Sequence, residues 1–240
     1  ERAYGSDHLE VSITLGNLGD AYQALDDHAM AREVIERALA IQERAYGREH
    51  AKLAPRLRSL AIAYAQLRDF SKARDMLERA LAIEEQAYGP DDPSTKRTKE
   101  VLDTVNKWDV ADVVKVDTQG RRIKDDKTSK MPKAEGGDGA PSRGDDTKEL
   151  ERLLAIQERE YGRDHPEVAK TLMKLGLAYG RSGDQAKTRD LMERALPIYE
   201  QIKDFGNVAI TLTNLGNAYG DLGNYAKARD MLERALAIRE

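Results

Sequence analysis

The sequence "ERALAIQERAYGREH" occupies Glu36–His50, and "ERLLAIQEREYGRDH" occupies Glu151–His165. Twelve of the fifteen positions are identical, although the two stretches begin 115 residues apart. A second segment, "KARDMLERALAI", occurs unchanged at Lys72–Ile83 and at Lys227–Ile238. Such self-similarity is the signature of a chain built from stacked repeats, each of which buries its apolar face against its neighbours.

The repeat has a period of 42 residues, which separates the Tyr-Gly pairs that begin at Tyr4, Tyr46 and Tyr88. Apolar residues at helical spacing predict two amphipathic helices in each period, joined by a short polar turn. In the first repeat these apolar residues are Leu15, Leu18 and Tyr22 on the first helix, and Ala31, Ile35, Ala38 and Leu39 on the second. The missing side chain at Gly19 would let a neighbouring helix approach closely.

These positions, in this order, resemble the tetratricopeptide repeat. The 42-residue period and the "YGRDHPEVA" loop at Tyr161–Ala169 are similar to the kinesin light chain subfamily of these repeats. The resemblance covers roughly residues 1–105 and 149–240. It implies an all-α, right-handed solenoid of antiparallel helix pairs.

The repeat pattern is interrupted once. Tyr88 and Tyr161 are 73 residues apart, which is 31 more than one period. We therefore predict repeats one and two and the first helix of repeat three in 1–106, an insert in 107–148, and the end of repeat three with repeats four and five in 149–240. The insert is rich in Gly, Pro and charge, so we expect it to be disordered. Trp108 is expected to cover apolar surface at the end of the third first helix.

Composition excludes several classes of protein. The net charge of −4 gives no electrostatic reason to expect a nucleic-acid partner. Apolar runs are too short to cross a membrane. There is no cysteine, which is compatible with a reducing compartment, and we predict a cytoplasmic protein. The sequence begins at Glu1 rather than Met and stops in mid-pattern, as a segment of a longer protein would, and the sequence alone leaves open whether it is one.

No catalytic, cofactor-binding or metal-binding set stands out, and an enzyme is not predicted. His8, His50 and His165 are the strongest metal candidates, but they occupy the same loop position in separate repeats and should lie too far apart to share an ion. We expect them to be structural, with the neighbouring Asp7 and Asp164 capping the helices that follow.

The resemblance implies that the first helices line a concave groove that binds peptides. Carried over position by position, the predicted groove residues are Ile13, Asp20, Gln23, Arg58, Ile62, Gln66, Lys170, Met173, Leu177, Arg181, Thr213, Asn217 and Asp221. By comparison with kinesin light chains, Arg58, Lys170 and Arg181 could attract an acidic peptide with an aromatic anchor. The alternative is that these are ordinary solvated positions on a spacer.

The favoured function is a protein–protein interaction scaffold or adaptor with a peptide in its groove. A second hypothesis is a regulatory or sensor arm of a larger signalling protein, for example a nucleotide-binding ATPase whose active domain lies outside this chain. A third is end-to-end self-association, since an array without polar caps leaves apolar ends that can stack on another copy.

Overall fold

The structure is a computed structural model that describes residues 8–114 and 144–240. In these residues every regular element is helical, which confirms the all-α fold. The elements are α1 (Leu9–Ala24), α2 (His28–Tyr46), a 3-10 helix (Ala51–Leu53), α3 (Ala54–Gln66), α4 (Phe70–Tyr88), α5 (Pro93–Val114), α6 (Gly144–Tyr161), α7 (Pro166–Arg181), α8 (Gln185–Gln201), α9 (Phe205–Asp221) and α10 (Tyr225–Arg239).

The helix boundaries follow from local chemistry. Second helices begin after an Asp or Asn whose side chain accepts a hydrogen bond from a backbone N–H in the first turn, as Asp27, Asp69, Asp184 and Asn224 do. At the far end of α2 the chain leaves the helix at Gly47, where φ is +87°. Residues with a Cβ rarely adopt that conformation, which explains why a glycine follows Tyr46.

Two compact units make up the chain. The terminal unit comprises Glu1–Leu25 and Gly136–Glu240, and the central unit comprises Asp26–Glu135. In the terminal unit, α7 packs on α8 and α9 packs on α10, which are the two helices of repeats four and five. The helix α1 packs on α10 in the same unit, although nearly the whole sequence separates them. The spatial order there is α6, α7, α8, α9, α10, α1.

The steps between successive helix pairs of the terminal unit repeat the same polar contacts. A first-helix tyrosine hydroxyl donates to a glutamate on the preceding second helix, and arginines and glutamates join neighbouring second helices. The tyrosine contacts are Tyr179–Glu151, Tyr219–Glu193 and Tyr22–Glu233, and the arginine contacts are Arg194–Glu158 and Arg234–Glu200. The step from α10 to α1 therefore repeats the tyrosine–glutamate contact of the other steps.

The central unit uses the same contacts. In it α2, α3, α4 and α5 pack in chain order, with Tyr64 donating to Glu36 and with Arg79 paired with Glu43 at 2.5 Å. A buried apolar cluster that includes Leu77 and Val105 joins α3, α4 and α5. Trp108 packs against this cluster while remaining partly exposed, as the sequence predicts.

Helices extend into both ends of the predicted insert. The helix α5 continues to Val114, so the β-branched stretch after Trp108 prolongs a helix up to that point. At the other end α6 already begins at Gly144. The prediction of disorder concerns mainly residues 115–143, which lie outside the described part of the chain.

Close packing within a helix pair depends on a small residue of the first helix. A Cβ built on Gly216 of α9 would lie 2.7 Å from Leu232 Cγ and 3.2 Å from the carbonyl oxygen of Ala228 on α10. Gly216 occupies the same repeat position as Gly19. The close approach expected from the glycine at that position is therefore found in repeat five.

Candidate peptide-binding face

Three first helices lie side by side in the terminal unit and form what we call the α7–α9–α1 face. Between α7 and α9, the Thr211 hydroxyl lies 3.9 Å from the sulfur of Met173. Between α1 and α9, the Asn17 side-chain amide donates to the Asn217 oxygen at 2.8 Å. All of the predicted groove positions outside α3 belong to α7, α9 or α1, but sequence order does not place α1 beside α9.

Apolar side chains lie between the polar ends of this face. Ile13 of α1 is 44% exposed, which is high for a large aliphatic residue in a packed helical array. Met173 and Leu177 of α7 are half-buried and lie one helical turn apart. Apolar ligand side chains placed against Met173 and Leu177 on α7, and against Ile13 on α1, would bury apolar surface that the fold leaves in water.

The two predicted groove cations of α7, Lys170 and Arg181, differ in their surroundings. Lys170 is exposed and pairs with Glu167 at 2.7 Å. Arg181 is exposed in the last turn of α7 and has no ion-pair partner among the described residues. An exposed pair such as Lys170–Glu167 is worth little and exchanges readily. Arg181 is therefore the cation of this face that is most available to a ligand carboxylate.

Acidic and amide groups complete the face on α9 and α1. Asp221 is at the same repeat position as Arg181, one first helix further on. Its side chain reaches the surface, yet partial desolvation raises the pKa of its carboxyl. Asn217 is exposed, whereas Asp20 and Gln23 of α1 are half-buried. The charges thus change sign from α7 to α9.

Thr213, a predicted groove residue, is instead a packing residue. Only 7% of it is exposed. Its hydroxyl donates to the Ala209 carbonyl at 2.8 Å and lies 3.4 Å from a guanidinium nitrogen of Arg239. Its small exposed area offers little surface to a ligand, and its place in the groove stays a prediction.

Arg58 belongs to the central unit and is committed to an internal ion pair. Its guanidinium pairs with Glu84, whose side chain is 1% exposed, and also donates to the Thr98 hydroxyl at 3.1 Å. The expected attraction of an acidic peptide by Arg58 is not supported, because the buried carboxylate already neutralises the charge. Ile62 and Gln66 on the same helix are half-buried, and Ile62 packs against the apolar cluster of this unit.

The loop histidines are helix caps. His8, His50 and His165 each accept a hydrogen bond through Nδ1 from the backbone N–H two residues later, at 3.2 Å in all three cases. The structural role expected for them is confirmed, but the expected cap at Asp164 is wrong, and Asp7 lies outside the described residues. In Tyr46–His50 and Tyr161–His165 the rings also stack, with centroids 5.0 and 4.8 Å apart.

Neither a metal site nor a membrane span is found in the part of the chain that the structure describes. There, no cluster of three or more His, Asp or Glu side chains is arranged to take up an ion. No helix among the same residues has the length and hydropathy needed to cross a bilayer.

Sequence comparison matches most of the repeats to a known family. A profile described as "Tetratricopeptide repeat" matches residues 1–44, 10–86 and 148–201, and a second profile with the same description matches 208–240. No curated protein gives a significant match. Residues 87–147 are not matched, and this stretch includes the predicted first helix of repeat three as well as most of the predicted insert.

Structural comparison finds similar chains of low sequence identity. One similar structure is that of the nearly identical, kinesin light chain-like TPR repeats of a Podospora anserina protein. It shares 20% identity with this chain at a TM-score of 0.40, over 97% of this chain and 96% of that one. A point variant of that protein gives the same values. BtubC (BKLC) from P. vanneervenii shares 21% identity at a TM-score of 0.36, over 92% of this chain and 76% of that one. The family assignment rests on the sequence profiles, which cover more than half of the residues: the chain belongs to the tetratricopeptide repeat family.

Proposed function

We propose that this protein is an interaction scaffold that binds an extended, acidic peptide segment of another protein across the α7–α9–α1 face. Repeats of this family generally mediate protein–protein interaction. The observation that carries the proposal is the arrangement of an exposed Arg181 without an ion-pair partner in the described chain, next to partly exposed Met173 and Leu177 on one helix.

The chemistry of the face favours a ligand with a particular order of groups. A ligand carboxylate would pair with Arg181, and Lys170 could exchange its exposed Glu167 partner for a second one. An aromatic or large aliphatic side chain would then pack against Leu177 and Met173 of α7, and a second apolar side chain of the ligand would reach Ile13 of α1 on the other side of α9. Asp221 lies at the same end of the neighbouring helix α9, so a donor group next to the ligand carboxylate would meet it, and its partly desolvated carboxylate would gain from that hydrogen bond.

Arg58 of the central unit has no part in this proposal, because Glu84 occupies its guanidinium. The ligand is instead assigned to first helices of the terminal unit. A cytoplasmic location remains part of the proposal, since a chain without cysteine is compatible with a reducing compartment. Binding of a short segment along helices fits a surface built from repeated elements, since each repeat adds similar contacts to the next.

A peptide-display selection on the full chain tests this function. The wild type is compared with a Lys170→Glu/Arg181→Glu variant and with Arg152→Glu, which reverses an exposed cation on the second helix α6. We expect the wild type and Arg152→Glu to enrich one acidic motif with an apolar residue, and the double variant to lose at least about tenfold in affinity. Circular dichroism must show equal helicity in all three.

Two outcomes contradict the proposal. Enrichment of no motif by the wild type would remove the binding function from this face. Equal enrichment by the Lys170→Glu/Arg181→Glu variant would show that the peptide binds elsewhere.

A further inference from the structure

One position of the second helices differs between two otherwise identical segments. Lys72–Glu85 and Lys227–Glu240 agree at thirteen of fourteen positions, and the single difference is Glu84 against Arg239. Both side chains are buried, with 1% of each residue exposed. A change from a buried anion to a buried cation in an otherwise unchanged helix calls for a reason, because unpaired buried charge is strongly destabilising.

Glu84 lies between two first helices of the central unit. It pairs with Arg58 of α3, the first helix of its own repeat, and accepts a hydrogen bond from the Thr98 hydroxyl of α5, the next first helix, at 2.5 Å. The carboxylate is therefore satisfied from both sides of α4.

Arg239 lies between two first helices of the terminal unit in the corresponding way. It pairs with Glu10 of α1 at 2.9 Å, and its second guanidinium nitrogen lies 3.4 Å from the Thr213 hydroxyl of α9. Thr213 and Arg58 occupy the same repeat position, as comparison of α9 with α3 shows. The polarity of the site is thus reversed: α4 presents an acid to its neighbours, and α10 presents a base.

Exchanging the neighbours would leave both sites mismatched. The residue of α5 at the position of Glu10 is Ser94, which offers Arg239 no counter-charge. A helix with Glu10 docked on α4 would place a second carboxylate near Glu84. Helix α7 also has an acid at this position, Glu167, but α7 packs on α6, and Glu167 pairs with Lys170.

We propose that this buried position specifies which first helix docks on which second helix, and that Arg239 makes α10 select α1 of the same chain through Glu10. The partner that the outer face of α10 fits is therefore a first helix with a glutamate two residues after its capping histidine. The Tyr22–Glu233 contact of that face recurs as Tyr64–Glu36, Tyr179–Glu151 and Tyr219–Glu193, so it does not distinguish among those steps. Helix α5 has Asn106 at the tyrosine position. In this pair Arg239 is almost fully buried, whereas Glu10 keeps 45% of its side chain exposed.

Crosslinking in the full chain tests this pairing, because the protein has no cysteine of its own. Asn17→Cys and Asn217→Cys place one thiol on α1 and one on α9, at side chains that touch in the structure. A short bismaleimide, added at low protein concentration, joins the two thiols when α1 is docked beside α9. The yield of crosslinked monomer on a denaturing gel then measures the docking of α1. Circular dichroism follows helicity in parallel.

Four versions of this reporter chain are compared. We expect Arg239→Glu, which makes the α10 segment identical to that of α4, to lower the yield of crosslinked monomer about tenfold or more. Adding Glu10→Arg should restore the yield to within about threefold, since the pair is reversed rather than removed. Arg234→Glu, an exposed charge reversal on the same helix that contacts α8, should leave the yield unchanged.

Three results would overturn the inference. One is an unchanged yield in Arg239→Glu. Another is a doubly reversed chain that crosslinks, or folds, no better than Arg239→Glu alone. The third is crosslinked dimer in place of monomer in the parent reporter, which would assign α1 of a second copy to this face. If Arg239→Glu loses helicity and the double reversal regains both helicity and crosslink, the pairing is supported.

Discussion

The hydroxyl of Tyr22 donates a hydrogen bond of 2.5 Å to Glu233, a residue 211 positions later in the chain. The same contact links Tyr179 to Glu151, where the separation is only 28 residues. The first helix of the sequence is thus stacked on the last by the bond that joins ordinary neighbouring repeats. Sequence distance differs greatly between the two contacts, whereas their geometry is the same.

Alkaline pH should weaken these steps. Burial and the hydrogen bond to Glu36 raise the pKa of Tyr64 to about 12, and hydrogen bonds to glutamate raise the pKa values of Tyr179 and Tyr219. A tyrosine pKa that is higher in the folded state than the unfolded value near 10 stabilises the fold fully below pH 10. That stabilisation is lost as pH rises through the folded pKa.

Urea unfolding between pH 7 and pH 12 checks this expectation. The free energy of unfolding should show no tyrosine-linked loss up to about pH 10 and fall above it. Tyr64→Phe should lower it by about 1 kcal/mol at pH 7 and reduce the alkaline decline. A Tyr64→Phe chain with the same alkaline decline as the wild type would contradict the assignment.

Two glycines of α9 should respond oppositely to alanine. In Gly216→Ala the new Cβ would meet Leu232 and the Ala228 carbonyl, so we expect a loss of about 1 kcal/mol. The cost is limited because α3 accommodates Ala61 at the same repeat position. In Gly220→Ala the nearest atom would be 3.8 Å away, and the higher helix propensity of alanine should stabilise by up to about 1 kcal/mol.

Chemical denaturation of both variants, one turn apart on the same helix, measures the difference directly. Equal stabilisation by Gly216→Ala and Gly220→Ala would show that close packing against α10 does not require glycine.

Replacing Pro197 should stabilise α8. The helix continues through Pro197 to Gln201, and the residue is exposed, so the proline ring contributes little packing while removing one backbone donor. Alanine occupies the equivalent position in α4 and α10. We expect Pro197→Ala to raise the free energy of unfolding by about 1–3 kcal/mol and the reverse change, Ala82→Pro, to lower it by a similar amount. No gain from Pro197→Ala would mean that proline is accommodated without cost.

Removing the hydroxyl of Tyr199 should not destabilise the protein. Tyr199 is 1% exposed, its hydroxyl has no hydrogen-bond partner among the described residues, and burial raises its pKa to about 12. A buried hydroxyl without a partner costs free energy, so Tyr199→Phe should gain about 1 kcal/mol. Thermal unfolding measures the change in stability. The matched control is Tyr219→Phe, which loses the hydrogen bond from the Tyr219 hydroxyl to Glu193. A loss of stability in Tyr199→Phe would point to an ordered water on that oxygen.

Local features of the protein could be predicted well. Apolar spacing around Leu15 and Ile35 predicts two amphipathic helices because a 3.6-residue period leaves one face to bury, and the glycine after Tyr46 ends a helix because it adopts positive φ. The histidine caps were not predicted at their true positions. The signal that could have located them is their fixed spacing after the Tyr-Gly pair, which His50 and His165 share. Each histidine caps the backbone N–H of the residue two positions later.

The order of the residues was enough to predict the repeat, its two helices and the first-helix positions that face the groove. Each of these depends on side chains within one period. Three further features became visible only in the folded chain: α1 lies beside α9 and α10, Glu84 neutralises Arg58, and Arg181 stays exposed. The first two of these depend on which distant side chain faces a buried charge. Periodicity is the same at every step and carries no information about that choice, whereas the free energy of an unpaired buried charge does.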